Sequence, residues 1–306
     1  MIFGGTADFH DTVISKIRAV FIVGSEENTN LKYLGLKICQ LPNMITLAAK
    51  DYATSIQKVD LLQTQNDDEK MRILKQFAGQ INWFVNQVRP DIAFDSCNIS
   101  NCISSDLDKA VKISNKIVRK VHYQDVTLCF HKDFDVMDCK IVTFCDASFK
   151  NLANHGSQGG FISFIVDNHG NYSPIAWQSR KVRRVVKSTI AAESLAALDA
   201  AEMTVFLVSV LKDILKNDRC DSHVVCDNRS LVDSVYSSTN LEDRCLLLDV
   251  SVLRDMIEKQ LLTGVHWVPS DNQLADCLTK QGAADHKLLN VLNNKLKFDF
   301  HTLSFV

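Results

Sequence analysis

At 306 residues, 46% hydrophobic and 23% charged, the chain is long enough for two domains with cores of ordinary composition. A net charge of −2 excludes a globally basic coat for nucleic acid, so any cationic surface must be local. Ten cysteines without a CxxC pair exclude a zinc ribbon or a disulfide scaffold and read as buried free thiols in a reducing compartment. The N-terminus has no basic stretch followed by an apolar core, so no signal peptide is read. No apolar run is read as approaching the ~20 residues of a membrane helix. The expectation is a soluble intracellular protein, cytoplasmic or nuclear, with no membrane partner.

In chain order, the spacing of Phe9, Val13, Ile14, Ile17 and Phe21 predicts a helix over 8–23 with Asp8 as its N-cap. Residues 31–39 alternate like one strand, Pro42-Asn43 marks a turn, and 44–48 reads as a second strand. Helices are predicted over 51–61, 71–88 and 106–121. Pro90 stops the second of these and biases Arg89 to an extended shape. Mixed polar sequence between Tyr123 and Asp138 places a domain boundary there, dividing the chain into 1–130 and 131–306.

The second part opens with strands at 140–146, 160–166 and 173–178, an antiparallel meander. A helix over 188–216, a strand at 223–227, a short helix from Ser230, a helix over 242–262, a strand at 265–268 and a last helical region follow. A meander followed by alternating helices and strands implies an α/β domain, a mixed five-stranded sheet flanked by helices. A smaller α+β region precedes it.

Four carboxylates stand out. Asp146 and Asp227 each end an apolar strand-like run, at 141–146 and 223–227. Ligands of open α/β sheets bind outside the carboxyl ends of strands. If these strands are neighbours, their backbones lie ~4.8 Å apart, and the two acids repel unless a cation sits between them. Glu193 lies early on a helix that Ser188 or Thr189 can cap, among small residues (Ala191, Ala192, Ala196, Ala197) that let a helix lie close to a sheet. Asp276 follows at 274–276, with Asp271 reading as a helix N-cap. Taken singly, each acid also fits an ordinary cap or an exposed helical position; Asn228 can cap the next helix and free Asp227. An oxygen-only set suits Mg²⁺ or Mn²⁺ and not Zn²⁺.

These phrases carry a resemblance. Phe144-Cys145-Asp146-Ala147-Ser148-Phe149, the run from Lys187 to Ser194, Cys226-Asp227-Asn228-Arg229-Ser230 and the run from Gln273 to Lys280 resemble the ribonuclease H region of copia-type LTR retrotransposon Pol polyproteins. Residues 1–130 resemble the end of the reverse transcriptase, with palm, thumb and connection segments. Ala78 to Phe84 and Arg89-Pro90-Asp91 carry that part. The family's Tyr-x-Asp-Asp turn belongs directly before the segment matching Met1 to Gly5, and Asp8 and Asp11 do not replace it, so polymerase activity is not expected.

The resemblance implies a ribonuclease H-like fold and hydrolysis of the RNA strand of RNA–DNA hybrids with two Mg²⁺ or Mn²⁺ ions. Asp146 would bridge both ions, Glu193 and Asp227 hold the one on the leaving-oxygen side, and Asp276 the nucleophile-side ion. The loop 270–273 lacks the His found in many relatives, and His266 reads as structural. Arg180, Lys181, Arg183, Arg184 and Lys187, just before the Glu193 helix, read as phosphate contacts; Trp177 reads as core. The hybrid and the rest of a Pol polyprotein are the expected partners. The rival reading is an inactive binding or structural remnant of a decayed element. A transposase-type DNA nuclease, with three acids and a DNA-binding appendage, fits less well.

Overall fold

The computed structural model describes residues 7–22, 27, 29–61, 64, 66–152, 155–216, 220–237 and 243–306. The reverse-transcriptase-like opening at 1–5, and the helix ends placed at Val23 and Glu242, lie outside them.

The first region contains α1 (Ala7–Val20), β1 (Asn30–Tyr33), β2 (Leu36–Gln40), β3 (Met44–Ala48), α2 (Lys50–Ser55), α3 (Asp67–Val88), α4 (Ala93–Cys102), α5 (Leu107–Tyr123) and β4 (Thr127–His131). Asp8 lies inside α1 and is not its cap. The alternating run 31–39 is not one strand: Leu34 and Gly35 both take positive φ (48° and 83°), and the chain reverses there into a two-residue hairpin. The helix predicted over 51–61 ends at Ser55. Asn66 and Asp106 cap α3 and α5 through their side chains. Strand β4 falls across the boundary read at 130/131 and completes an antiparallel sheet in the order β1-β2-β3-β4.

The second region contains β5 (Cys139–Ser148), β6 (Gln158–Asp167), β7 (Tyr172–Lys181), α6 (Thr189–Leu215), β8 (Asp221–Cys226), α7 (Arg229–Tyr236), α8 (Arg244–Glu258) and β9 (Gly264–Trp267). Two 3-10 turns (Ser270–Asn272 and Leu274–Leu278), α9 (His286–Leu292) and a short hairpin of β10 (Phe298–Asp299) and β11 (Ser304–Phe305) follow. The main sheet runs β7-β6-β5-β8-β9. Its β7-β6-β5 part is antiparallel, and β5-β8-β9 is parallel, giving the mixed five-stranded sheet flanked by helices.

Alternation along the strands divides the core into two layers. Cys145, Phe161, Val224 and Val265 pack with Ala197, Ala200 and Ala201 of α6 and with Leu246, Val250 and Leu253 of α8. A buried bridge of Thr143 to Ser163 (2.9 Å) and Thr204 (2.7 Å) ties α6 to the sheet. By length and composition alone α6 could cross a membrane, with 27 residues and a mean hydropathy of 1.7 over its 18-residue window. That corrects the sequence reading of apolar runs; here its inner face lies on the sheet.

Phe144, Ile162, Phe164 and Val225 point to the other face. There they join one continuous cluster with α3, α5, β4 and α9. Trp177 lies in that seam, as core, and its indole donates to the Val85 carbonyl (2.9 Å). All ten cysteines are free; Cys102, Cys139, Cys145, Cys226 and Cys277 are buried, whereas Cys245 is exposed.

Candidate active site

The site forms where the two layers meet at the carboxyl ends of β5 and β8. These strands are parallel neighbours with Phe144 opposite Val225, which brings Asp146 level with Asp227 two residues on. Asp146 is not strand-terminal, because β5 continues to Ser148. Ser188 caps α6 by accepting from the Ala191 N–H, and Glu193 then leans over the strand ends. Ala147, Ala192 and Ala196 pack together beneath it, and the small side chains allow the close approach. One Glu193 oxygen accepts from the Ala147 N–H (3.1 Å). Asn228 caps α7, which leaves the Asp227 carboxylate to accept from Ser270 Oγ (2.7 Å). Carboxylate oxygens of Asp146, Glu193 and Asp227 lie within 4.8 Å of one another.

Asp276 reaches the site from the opposite layer. It sits on the 3-10 turn Leu274–Leu278 and not on the opening turns of an α-helix. Gln273, not Asp271, caps that turn: its Oε1 accepts from the Ala275 N–H (3.0 Å), while its Nε2 donates to the Cys145 carbonyl (2.9 Å). The turn presses on β6 at Gly160, where a Cβ would stand 2.8 Å from Leu278 Cβ. Asp276 is outside the three-acid group and is joined to it by Lys280, whose Nζ lies 2.5 Å from Asp276 Oδ1 and 3.3 Å from Asp146 Oδ1. Thr279 donates its hydroxyl to the second Asp146 oxygen. Thr279 and Lys280 fall inside the run from Gln273 to Lys280, of which only Asp276 reads as a site residue from sequence. The four-residue spacing from Asp276 to Lys280 was the available signal, since that separation on a helical turn pairs opposite charges.

Burial and crowding set the electrostatics. Burial first, then Asp276 and Asp227, raises the Asp146 carboxyl to about 6 against the opposing pull of Lys280 and Thr279. Burial, with the charges of Asp146 and Asp227, raises Glu193 to about 9. Burial alone would lower the Lys280 ammonium, but Asp146 and Asp276 outweigh it and hold it above the ordinary lysine value. Buried acids that resist ionising are what a hard cation relieves, and an all-oxygen donor set fits Mg²⁺ or Mn²⁺.

A buried brace stands behind the last acid. Arg89 clamps Asp91 with two hydrogen bonds (2.7 and 2.9 Å), and Lys120 bridges Asp91 (3.0 Å) to Asp285. The Pro90–Ile92 turn packs against the turn that carries Asp276. The basic run divides: Arg184 is held by Asp249, Arg180 pairs with Asp199 (2.5 Å), and Lys181, Arg183 and Lys187 are exposed. His266 pairs with a neighbouring histidine, its Nε2 3.0 Å from His223 Nδ1.

No protein-family model matches the chain, and no curated protein matches it. Solved structures do. The chain is similar to the N-terminal RNase H domain of a Mycobacterium tuberculosis protein fused to maltose-binding protein (15% identity, TM-score 0.34, 46% of this chain and 95% of that one). It is also similar to a metagenomic RNase H1 from compost in complex with an RNA/DNA hybrid (16% identity, TM-score 0.34, 46% and 94%). A foamy viral protease-reverse transcriptase in complex with RNA/DNA hybrid aligns over 88% of this chain and 34% of its own, at 12% identity and TM-score 0.50. The chain therefore has a ribonuclease H-like fold, preceded by an α+β region that the longer alignment also takes in.

Proposed function

We propose that the protein is a metal-dependent ribonuclease H that hydrolyses the RNA strand of RNA–DNA hybrids. The observation that carries this is the convergence of Asp146, Glu193 and Asp227 to within 4.8 Å on a ribonuclease H-like sheet. Asp146, Glu193, Asp227 and Asp276 are the residues that would hold the ions, Mg²⁺ or Mn²⁺. Bound there, divalent ions activate water and stabilise charge in phosphodiester hydrolysis. The chain's own residues set the frame. Thr279 and Lys280 orient Asp146, the Ala147 N–H aims Glu193, Ser270 holds Asp227, and Gln273 fixes the turn bearing Asp276.

The copia-type phrases support a setting in a retrotransposon Pol polyprotein, with 1–130 as the end of a reverse transcriptase and 131–306 as the nuclease part. Lys181, Arg183 and Lys187 are the cations best placed to meet phosphates, since Arg180 and Arg184 are paired.

A hybrid with labelled RNA, incubated with the protein in Mg²⁺, Mn²⁺ or EDTA beside single-stranded RNA and duplex DNA, tests the reading. Cleavage should need the divalent ion, fall on the hybrid's RNA strand and vanish in Asp146→Asn and Asp227→Asn. Cutting that survives EDTA would sink it. Hybrid binding with no turnover by the unaltered chain would instead establish the inactive-remnant reading.

A further inference from the structure

Lys280 stands inside the acidic site, and phosphodiester hydrolysis by four acids does not require a lysine there. Its ammonium joins the two carboxylates that come from opposite layers, Asp146 of β5 and Asp276 of the 3-10 turn. With Thr279 on the other Asp146 oxygen, both oxygens of that acid are engaged by consecutive residues of one segment. Among the described residues, no salt bridge reaches Glu193 or Asp227. The direct contacts of the ammonium are thus with Asp146 and Asp276, and it acts on Glu193 and Asp227 only through space.

Exposure is graded across the pair. The Asp146 side chain is 1% exposed and Asp276 28%, while Lys280 is 40% exposed. Lys280 therefore arrives from the solvent side on a flexible four-carbon stem and can swing away without unpacking the core.

Building on the acids as a cation site, we propose that Lys280 is an internal competitor for the cation position between Asp146 and Asp276. Its ammonium neutralises that pair in the metal-free protein, and a divalent ion joining the two acids must displace it. Two cations sharing those oxygens would repel across ~4 Å in a poorly screened site. The order of loading follows. An ion on the Asp146–Glu193–Asp227 side enters first, and the Asp276 side fills only as Lys280 leaves. A substrate phosphate in the site would offer the released ammonium a new partner, so the device favours completing the site when nucleic acid is present. Lys280 is on this account a positioning residue.

Mn²⁺ binding to the full 306-residue chain, without nucleic acid, tests this by calorimetry and by the spin resonance of free Mn²⁺. If the ammonium holds its place most of the time, the second ion binds about tenfold weaker, or worse, than it would without the lysine. Lys280→Gln should tighten that second ion by about that factor and the first, which shares only Asp146 with the lysine, by less. Lys280→Arg should keep the unaltered protein's gap. In an Asp276→Asn background the second ion should be lost, and Lys280→Gln should not restore it. Melting in EDTA should fall in Lys280→Gln and recover with saturating Mn²⁺. Isotherms identical for the unaltered chain and Lys280→Gln would overturn the proposal and leave the acidic site standing. Failure of both proteins to bind Mn²⁺ at all would overturn the cation site itself, and the competitor with it.

Discussion

Asp146 and Gly160 face each other across the β5–β6 pair, and the missing side chain at Gly160 admits the turn that grips Asp146. A Cβ there would meet Leu278 Cβ at 2.8 Å, the Gln178 carbonyl oxygen at 3.1 Å and Thr279 Cγ2 at 3.1 Å. The Gln178 carbonyl belongs to β7 and cannot yield without breaking the ladder. Gly160→Ala should cost ~1–3 kcal/mol, the usual range for overpacking, and move Thr279 and Lys280 off Asp146. At Gly159 the nearest atoms would be at 3.6 and 3.7 Å, so Gly159→Ala should cost less. Urea unfolding of both variants checks this, and equal costs would refute the pressed turn.

The Arg89–Asp91 pair should dominate stability in the first region. Both side chains are essentially inaccessible, at 2% and 0% exposed. Removing one partner from a buried pair strands the other charge, at ~3–5 kcal/mol. Arg89→Met and Asp91→Asn should each fall in that range by denaturant unfolding, whereas the double change should cost less than their sum. Arg89→Lys should not rescue, because an ammonium cannot replace the two-pronged contact. Burial pushes the Asp91 carboxyl up, but Arg89 and Lys120 outweigh it and hold it below the usual value of 3.8. Its stabilisation is therefore complete above that value and lost as pH falls through the depressed native one.

The metal-free protein should lose stability as pH rises above neutrality. Glu193 is raised from 4.5 to about 9, so the folded state keeps a proton that the unfolded chain releases. Stability from this group is whole below 4.5 and drains away up to about 9. Asp146 behaves likewise between 3.8 and about 6. His223 acts oppositely: burial, and then the neighbouring His266, lowers it from 6.5 to about 4, so it removes stability as pH falls through that window. Between pH 7 and 9 Glu193 acts without these two, with a slope of up to ~1.4 kcal/mol per pH unit. Thermal melts in EDTA should show that decline, and Glu193→Gln should flatten it. An unchanged slope would refute the assignment.

The basic run should split by function. Arg184 holds Asp249, which is 5% exposed and also accepts from Ser194 (3.0 Å). Arg184→Ala should lower stability by on the order of 1 kcal/mol, half-exposed pairs being weak. Arg183→Ala with Lys187→Ala should leave stability alone and flatten the salt dependence of hybrid binding. The change in slope should be near two units if both touch phosphate, at about 0.9 per contact. Binding titrations over a salt series decide, and an unchanged slope would place the hybrid elsewhere.

Much of this was legible in one dimension, because local chemistry set it. The apolar runs ending at Asp146 and Asp227, the Ser188 cap and the alanines around Glu193 each act over a few residues. Period-2 and period-3.6 burial convert such patterns directly into strands and helices. The run 31–39 misled because a two-residue hairpin turn keeps the alternation going on both sides of Leu34-Gly35.

What only the tertiary structure decided is how distant segments share one space. The register between β5 and β8 brings Asp146 level with Asp227, and the Gly160 gap lets the 270s segment cross β6. That crossing sets Lys280 between Asp146 and Asp276, a relationship spanning 134 positions that no local pattern encodes. The seam between Trp177 and Val85, and the pairing of Lys120 with Asp285, likewise bind the two halves into one core. Contacts of this kind depend on packing across layers, where shape and charge at two remote positions are satisfied together, and sequence order is silent about which positions those are.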